Sequence, residues 1–452
     1  MDIIVGANKS IFKIMSRFYK PNNNYRLMHY CVQAPVEEGT LLFNLLTREV
    51  VLLSPEEFAN LFQQDYLKEH WFLVPEDANE KDYVDLIRWV FTSKQNKGNE
   101  ITSYTIFTTT DCNARCFYCF ELGRSRVPMS QETAVSVVEY IKDHCVGKAV
   151  KITWFGGEPL MNTNAIQTIC KGLKEASIQF TSRMATNGYL FNEQILNSAV
   201  ENWNLKWVQI TLDGTENVYN RIKAYTNKGD SPYQVVMCNI EKLLDASIDV
   251  YVRMNMDLNN SEDLLQLMDD LSRRFRGRKG IAVYAHHLFK DNMPMADMHT
   301  EDEWNKREAA MCRLEEKIRQ CDFHAKRGIS RSIKTNHCMA DHGKAITIMP
   351  DGSIGLCEQS SESDAIGHID TEDFDDALVE SWKERTPAIP ECADCFYYPD
   401  CIKLRKCVSD NLCYRQYRQR QHRMVQLRMI NEYENWKNKV SFDNEEDNDL
   451  FG

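Results

Sequence analysis

Six apolar, β-rich runs separated by amphipathic segments dominate the middle of the chain. They are YTIFTTT (104–110), VKITWF (150–155), FTSRMAT (180–186), WVQITL (207–212), DVYVRMNM (249–256) and IAVYAHH (281–287). Between them lie helical patterns such as SQETAVSVVEYIKDHC and SEDLLQLMDDLSRRF. This alternation predicts a parallel sheet with helices outside it. Because a closed barrel of this kind needs eight units, six units predict an α/β fold with a partial (β/α)6 TIM barrel, open along one side.

The segments that flank the barrel follow other patterns. Residues 1–95 combine short strand patterns around Glu37-Glu38-Gly39 with the helical patterns SPEEFANLFQQ and EKDYVDLIRWVFTSKQ, which predicts a small α+β module. KQNKGNE, at 94–100, is the predicted linker to the barrel. The remaining predicted units are the barrel at 101–300, a helical bridge at 301–336, a cysteine-rich domain at 337–415 with a hairpin at Pro350-Asp351-Gly352, and 416–452, a polar helix with a disordered acidic tail.

Charge and hydropathy exclude several classes of protein. A net charge of −12 over 452 residues argues against a general nucleic-acid binder. No apolar run approaches the ~18–20 residues of a membrane span, so we expect no membrane partner. The N-terminus shows no secretory signal pattern, and we expect a cytoplasmic protein. Its sixteen cysteines are therefore expected to be thiols, and ten of them fall into two clusters, 112–119 and 338–413.

The first cluster is DCNARCFYCFE, which places Cys112, Cys116 and Cys119 directly after the first predicted strand. The carboxyl ends of parallel strands are where such sheets place their chemistry. Three thiolates leave one iron of a [4Fe–4S] cubane without a protein ligand, so a substrate or cofactor can bind there. The alternative is a zinc site that a distant Cys, His or Asp completes.

The CxxxCxxC spacing, with the aromatic Tyr118 before the third cysteine, resembles the radical S-adenosylmethionine (SAM) family. The resemblance implies that the open iron is chelated by the amino and carboxylate groups of SAM. Cleavage of SAM then gives a 5′-deoxyadenosyl radical that abstracts a substrate hydrogen. FGGEP, after the second strand, resembles the family's GGEP motif. It implies that Gly156 and Gly157 let the backbone approach the methionine part of SAM, while Glu158 accepts from the ammonium group.

Later strand ends continue the resemblance, which covers residues ~104–290. ATNG and TLDG place Thr186, Asn187 and Asp213 where they reach the ribose or the substrate. Asp213 is also the candidate proton acceptor. The resemblance further implies that Arg253, in RMN, pairs with the SAM carboxylate, and that His286 and Leu288 lie beside the adenine.

Seven further cysteines resemble the SPASM extension of this family, which binds up to two auxiliary [4Fe–4S] clusters. The interleaving of that family assigns Cys392, Cys395, Cys401 and Cys413 to an outer cluster, and Cys338, Cys357 and Cys407 to an inner one. The spacing from Cys401 to Cys407 is two residues longer than the family's, and the last gap is short. The inner set is one thiolate short, to be completed by Cys312, Cys321, His337 or His342, or by a substrate thiolate at an open site. A zinc ribbon is the alternative.

Together these resemblances imply a radical SAM oxidoreductase with three [4Fe–4S] clusters that modifies a peptide. The N-terminal module resembles the winged-helix-like leader-recognition elements of ribosomal-peptide maturases, although it could equally be a stabilising cap. The leading expectation is an intramolecular thioether cross-link in a precursor peptide with a leader, of the sactipeptide or ranthipeptide type, with a flavodoxin or ferredoxin as electron donor. The alternatives are carbon–carbon cross-linking, formylglycine formation on a sulfatase, or an iron–sulfur or zinc binding scaffold without catalysis.

Overall fold

The computed structural model describes residues 1–18, 24–95, 98, 100–226, 231–288, 300–324, 328–359, 364–371, 373–407, 413 and 415–448, with side chains of the last helix described to residue 439. The predicted linker therefore lies partly outside the described residues, as does the end of the predicted acidic tail. Within the described ranges, no helix is both long enough and apolar enough to cross a bilayer.

The N-terminal module is built on a four-stranded antiparallel sheet. Its elements are β1 (Asp2–Val5), α1 (Lys9–Met15), β2 (Tyr25–Leu27), β3 (Cys31–Val36), β4 (Gly39–Asn44), β5 (Glu49–Leu53), α2 (Pro55–Ala59), α3 (Asp65–Glu69), β6 (Leu73–Pro75) and α4 (Glu80–Gln95). The sheet order is β1-β5-β4-β3, and β2 pairs separately with β6. Helix α2 begins where the sequence predicted, because Ser54 and Glu57 form a reciprocal capping box.

Six parallel strands and their crossover helices form the barrel. They are β7 (Ser103–Thr109), α5 (Gln131–His144), β8 (Val150–Gly156), α6 (Thr163–Glu175), β9 (Phe180–Thr186), α7 (Glu193–Glu201), β10 (Leu205–Thr211), α8 (Glu216–Lys223), α9 (Pro232–Asp245), β11 (Asp249–Met256), α10 (Ser261–Phe275) and β12 (Ile281–His287). All six predicted strands are present to within two residues at either end. The parallel sheet with outer helices is confirmed.

The C-terminal part continues the same sheet. Its elements are α11 (Glu301–Gln320), β13 (Ala345–Ile348), β14 (Ser353–Gly355), β15 (Gly367–His368), α12 (Asp376–Lys383) and α13 (Arg415–Asn448). Strand β13 pairs in parallel with β7, while β14 pairs antiparallel with β13, which gives the order β12-β11-β10-β9-β8-β7-β13-β14-β15. The predicted hairpin is therefore present, and Gly352 takes a φ of +93° in its turn.

The last helix packs on the N-terminal sheet, a contact that the sequence did not predict. Val425, Met429 and Tyr433 of α13 share a hydrophobic core with residues of β3 and β4. The side-chain amide of Gln426 also donates to the Gln33 carbonyl of β3 at 2.7 Å. Helix α13 extends through residues 443–448, the first part of the predicted acidic tail. The two ends of the chain thus form one structural unit.

Two buried arginines connect the N-terminal module to the cysteine-rich region. Arg48, which is 1% exposed, forms a two-pronged ion pair with Asp400, with 2.9 Å between Nη1 and Oδ2. Arg88 of α4 donates to the carbonyl oxygens of Tyr398 and Cys401. Guanidinium groups satisfy several acceptors in a fixed plane, so these contacts fix the module against the segment that carries Cys392–Cys401.

Candidate active site

The three-cysteine loop begins directly at the carboxyl end of β7. Cys112, Cys116 and Cys119 are each partly exposed. The loop is anchored at its start, because the Thr109 hydroxyl accepts from the Asp111 N–H at 3.0 Å and the Asp111 carboxylate accepts from the Cys112 N–H at 2.8 Å. The three thiols face the cavity described below.

The Gly-Gly loop after β8 packs directly against the cysteine loop. The Gly157 N–H donates to the Thr109 carbonyl at 3.0 Å, and the Glu158 N–H donates to the Asp111 carbonyl at 2.9 Å. A Cβ at Gly156 or Gly157 would collide with these same carbonyl oxygens, and Gly156 has a φ of +126°. The glycines are therefore required by loop packing, whether or not they also admit a ligand as the sequence predicted.

Glu158 points into the protein rather than into the cavity. Its side chain is completely buried and accepts from the Thr186 hydroxyl and the Asn187 N–H, each at 2.8 Å. The Leu160 N–H adds a third bond at 3.2 Å. This geometry does not support the predicted contact of the Glu158 carboxylate with an ammonium group. The side chain instead joins the loops after β8 and β9.

We expect the stability contribution of Glu158 to fall as the pH rises. Burial raises its pKa to about 7, against the opposing effect of its hydrogen bonds. The folded state then holds a proton that the unfolded state has released, so stability declines between about pH 4.5 and 7, by roughly 3 kcal/mol in all. Urea unfolding of wild type and Glu158→Gln at pH 5 and pH 8 measures this, and the wild type should lose more stability than the variant. Equal losses would contradict the prediction.

One cavity of about 550 Å³ occupies the barrel between the cysteine loop and the C-terminal hairpin. Of the residues predicted to contact SAM, those lining it are Tyr118, Gly156, Gly157, Thr186, Asn187, Arg253 and Leu288. Met339, Glu358 and Gln359, which adjoin Cys338 and Cys357, also line it. A molecule bound there can contact the first cysteine group and the residues next to the inner one.

His286 is not among the residues that line this cavity. Its imidazole Nδ1 lies 2.9 Å from the carbonyl oxygen of His287. Burial, with a contribution from Arg253, lowers its pKa to about 3, so the ring is neutral. The neighbouring Leu288 does line the cavity. A role beside adenine therefore fits Leu288 better than His286.

Asp213 lies behind Tyr118 in a buried ion pair. It is 1% exposed, its Oδ2 accepts from the Tyr118 hydroxyl at 2.5 Å, and the Lys223 ammonium lies 3.0 Å away. Burial disfavours the charge of Lys223, but Asp213 and Tyr118 outweigh it and raise the lysine pKa above its usual value. Asp213 does not line the cavity, so this geometry does not support a proton transfer from substrate. It supports a role in positioning Tyr118.

The inner cysteines predicted from the sequence are neighbours in the structure. Burial raises the pKa of Cys338 to about 11 and that of Cys357 to about 12, and nearby Cys407 adds to both shifts. Cys312, a suggested fourth ligand, instead lies beside Arg423 and Glu315, which both affect its pKa. Thiols as desolvated as these need a nearby cation to remain thiolates, which is what a metal cluster provides.

Three cysteines of the predicted outer group, Cys392, Cys395 and Cys413, lie near one another. Burial is the largest cause of the raised pKa of Cys395, to which Cys413 and Cys392 contribute. The Cys401 carbonyl accepts from Arg88, as described above. No three His, Cys, Asp or Glu side chains in the described part of the chain converge closely enough to bind a single metal ion. A cubane has more widely spaced ligands than a single ion, because four irons and their sulfides separate the thiolates.

The fold and the cysteine loop define a class of protein. Residues 106–271 match the Radical SAM superfamily. These residues run from within β7 to the end of β11 and most of α10, and they include the three-cysteine loop, so this part of the chain matches a radical SAM domain. The resemblance predicted from the sequence is confirmed at this level.

Individual relatives give different indications beyond the class. The chain is 25% identical over 314 residues to a probable GTP 3′,8-cyclase of Archaeoglobus fulgidus, a match that covers 65% of this chain and 98% of that protein. The fold of the present chain is similar to that of anSMEcpe with bound AdoMet. The TM-score is 0.56 at 16% identity, and the match covers 73% of this chain and 98% of anSMEcpe. The fold is also similar to that of Streptococcus suis SuiB bound to precursor peptide SuiA, with a TM-score of 0.51 at 12% identity over 84% and 95% of the two chains.

Several cavity residues were not predicted from the sequence. Lys223 lies four residues after the buried Tyr219 on α8, so both side chains are on the same, buried face of the helix. A lysine on a buried helix face is unusual, and this spacing would have indicated it. Arg183 stands in the middle of an otherwise uncharged strand, FTSRMAT, on the face that alternates with the buried positions. Glu358 directly follows Cys357. A charged residue inside a barrel strand is the signal that would have found Arg183.

Proposed function

We propose that this chain is a radical SAM peptide maturase that installs an intramolecular thioether cross-link. The observation that carries the proposal is the position of the cavity. Cys112, Cys116 and Cys119 line it, and so do Met339 and Glu358, the neighbours of Cys338 and Cys357. A peptide in this cavity would therefore lie against the first cysteine group and beside the segments that carry the second.

The residues around the cavity divide the proposed reaction between two groups. Cys112, Cys116 and Cys119 would hold a cluster that, together with SAM, would supply the radical chemistry for removing one hydrogen atom from the peptide. Cys338, Cys357 and Cys407 would hold the inner cluster, which would supply a binding position for the substrate thiolate and an acceptor for one electron. The peptide thus loses one hydrogen atom to the SAM-derived radical and one proton and one electron through its thiol, and becomes two hydrogens lighter.

The other parts of the proposal concern the electron supply and the binding of the peptide. Cys392, Cys395, Cys401 and Cys413 are proposed to hold an outer cluster that passes electrons to a flavodoxin or ferredoxin. The N-terminal module is proposed to bind a leader segment, and a protein of similar fold, SuiB, has been solved with a precursor peptide. Similarity to anSMEcpe, solved with the Cp18Cys peptide, also favours a peptide substrate and keeps formylglycine formation and carbon–carbon cross-linking as related alternatives.

The experiment is an assay of the anaerobically purified enzyme. We expect about eight to twelve irons per chain, the number in two or three cubanes, and release of 5′-deoxyadenosine when SAM and a reductant are added. The peptide to test is a small cysteine-containing one encoded beside this gene. Its mass should fall by two hydrogens, and alkylation of its cysteines beforehand should block the change. A mass loss that persists after alkylation would indicate a carbon–carbon product, and colourless protein containing zinc would contradict the enzyme proposal.

Cys357→Ala should separate SAM cleavage from peptide modification. Cys357 belongs to the inner group and does not line the cavity, whereas most of the residues predicted to contact SAM do line it. We expect the variant to lose the cross-linked product entirely while it still releases 5′-deoxyadenosine. Cys170→Ala is the control, because Cys170 is buried in α6 within the hydrophobic core, and it should retain both activities. Cross-linking at the wild-type rate in Cys357→Ala would contradict a role for the inner group.

The second candidate is a reaction on GTP. It is favoured by the similarity to a probable GTP 3′,8-cyclase over 98% of that protein's length. A triphosphate needs several cations, and among the described cavity residues the positively charged side chains are Arg183, Lys223 and Arg253. Lys223 is already paired with Asp213. Incubation of the reduced enzyme with SAM and GTP distinguishes the two, because a GTP-dependent increase in 5′-deoxyadenosine would favour the cyclase.

A further inference from the structure

Two guanidinium groups in the cavity have no carboxylate partner. Arg183 and Arg253 both line it, and neither lies within 4.0 Å of a carboxylate oxygen in the described part of the chain. The third cation, Lys223, is neutralised by Asp213 at 3.0 Å. Arg183 is exposed and Arg253 is half-buried, so an anion that enters the cavity can reach either guanidinium. The cavity therefore offers two separate places for an anionic group.

The two arginines lie at different depths in the barrel. Arg253 is paired in register with Thr211, and the preceding residue of β10, Ile210, is paired with Thr186. Arg253 is thus level with Asn187, four residues beyond Arg183 along β9. At about 3.3 Å per residue, the two positions are roughly 13 Å apart along the strands. The Nε of Arg253 donates to Asn255 further along β11, whereas the Nε of Arg183 donates to Thr153, its register partner on β8. The side chains thus keep the two guanidinium groups at different levels, so a SAM carboxylate at Arg253 leaves Arg183 available.

The guanidinium of Arg183 is held in place by its neighbours on the adjacent strands. Its Nε donates to the Thr153 hydroxyl at 2.7 Å, and its central carbon lies 5.1 Å from the ring centroid of Trp207. Its terminal nitrogens form no hydrogen bond with the described residues. The nearest acidic influence is Glu358, which lines the same cavity beyond ion-pair distance. A stacked guanidinium with its Nε occupied presents its outer edge, the geometry that a carboxylate matches with two bonds.

We propose that Arg183 binds a carboxylate of the peptide substrate, the side chain of an Asp or Glu, deep in the barrel. This inference rests on the proposed peptide function. It names the substrate class more closely, because the acidic residue is held between the SAM end of the cavity and the inner cysteine group. The acidic residue, or the one beside it, is then the residue that loses hydrogen to form the cross-link.

The test measures peptide binding to the unreduced holoenzyme with SAM, so that no turnover is needed. Two amidated pentapeptides, Gly-Cys-Gly-Asp-Gly and its Asn analogue, are titrated by calorimetry. We expect the Asp peptide to bind about tenfold more tightly, the value of one charge-assisted contact. Arg183→Met should abolish the preference, and Arg183→Lys should keep part of it because a lysine retains the charge without the fork. Lys171→Met, at an exposed position of α6 outside the barrel, is the control and should keep the full preference.

Each outcome decides the proposal. Equal affinities of the wild type for the two peptides, or no measurable binding of either, would overturn it, as would a preference that survives in Arg183→Met. A third peptide, the Asn analogue with a free C-terminus, tests the other source of a carboxylate. Tighter binding of that peptide than of the Asp peptide would overturn the assignment to a side chain. Iron content and visible absorption verify that the variants are folded. If Arg183→Met does not fold, the preference measured with Arg183→Lys decides the proposal.

The result is independent of the proposed reaction. If an Arg183-dependent preference is found but no peptide is ever cross-linked, the carboxylate site stands and the proposed function fails. If cross-linking occurs without the preference, the function stands and this inference fails.

Discussion

Replacement of Cys116 by alanine is expected to reduce the release of 5′-deoxyadenosine from SAM to undetectable levels. Cys116 is the middle cysteine of the loop that follows β7, and the cavity begins at its thiol. Two remaining thiolates cannot hold a cubane that leaves one iron open, so both the electron and the SAM-binding position are lost. The measurement is 5′-deoxyadenosine by chromatography after anaerobic reduction, with iron content determined on the same sample.

Cys238→Ala is the matched control for this experiment. Cys238 is exposed on α9, and its sulfur contacts Arg274 rather than any cavity residue. We expect the control to keep wild-type iron content and wild-type SAM cleavage. If Cys116→Ala cleaves SAM as the wild type does, the catalytic cluster is not held by this loop.

Replacement of Asp400 by alanine should cost about 3–5 kcal/mol of unfolding free energy. The variant leaves the guanidinium of Arg48, which is 1% exposed, without a counter-ion inside the protein. Arg48 has a second unfavourable feature, because its backbone has a φ of +68° and its Nε already has no hydrogen-bond partner among the described residues. Urea unfolding monitored by tryptophan fluorescence measures the loss.

The control for the Asp400→Ala experiment is a variant of a solvent-exposed ion pair. Glu139 and Lys142 lie 2.9 Å apart on α5, and both side chains are more than half exposed. Glu139→Ala should therefore cost no more than about 1 kcal/mol. A similar small loss in Asp400→Ala would mean that the arginine finds water or another acceptor when its partner is removed. The double variant Arg48→Met, Asp400→Leu should recover much of the loss, because both buried charges are then absent.

Local patterns predicted the barrel well because each of its strand–helix units is stabilised by contacts between residues that are close in sequence. The predicted helices EKDYVDLIRWVFTSKQ and SEDLLQLMDDLSRRF coincide with α4 and α10 at both ends. Each strand is a short apolar segment, and an amphipathic helix packs on it. The hydrophobic periodicity alone therefore identifies both the strands and the helices. Cys338, Cys357 and Cys407 lie near one another, as the resemblance to the SPASM extension implies, and their assignment to one cluster stays a prediction.

Contacts between distant parts of the chain were not predictable in this way. Nothing in the sequence of α13 says that Met429 packs on a sheet formed some 390 residues earlier. Side-chain direction was also missed, because Asp213 and Glu158 both follow strands but turn inward to buried donors. A loop position indicates which end of the barrel a residue occupies, and the direction of its side chain depends on neighbours from other strands.

The pairing of β13 with β7 sets the relative position of the strands that lead to the two cysteine groups. Ala345 is paired with Ser103 and Ile348 with Ile106, so backbone hydrogen bonds set the register of the hairpin that leads to Cys357 against the strand that leads to Cys112. Separate domains that dock through side chains can slide or rotate, but strands of one sheet cannot shift without a change of register. The register therefore fixes the separation of the two strands that lead to these groups. Under the proposed peptide function, peptides of different size would have to adapt their own conformation to this separation.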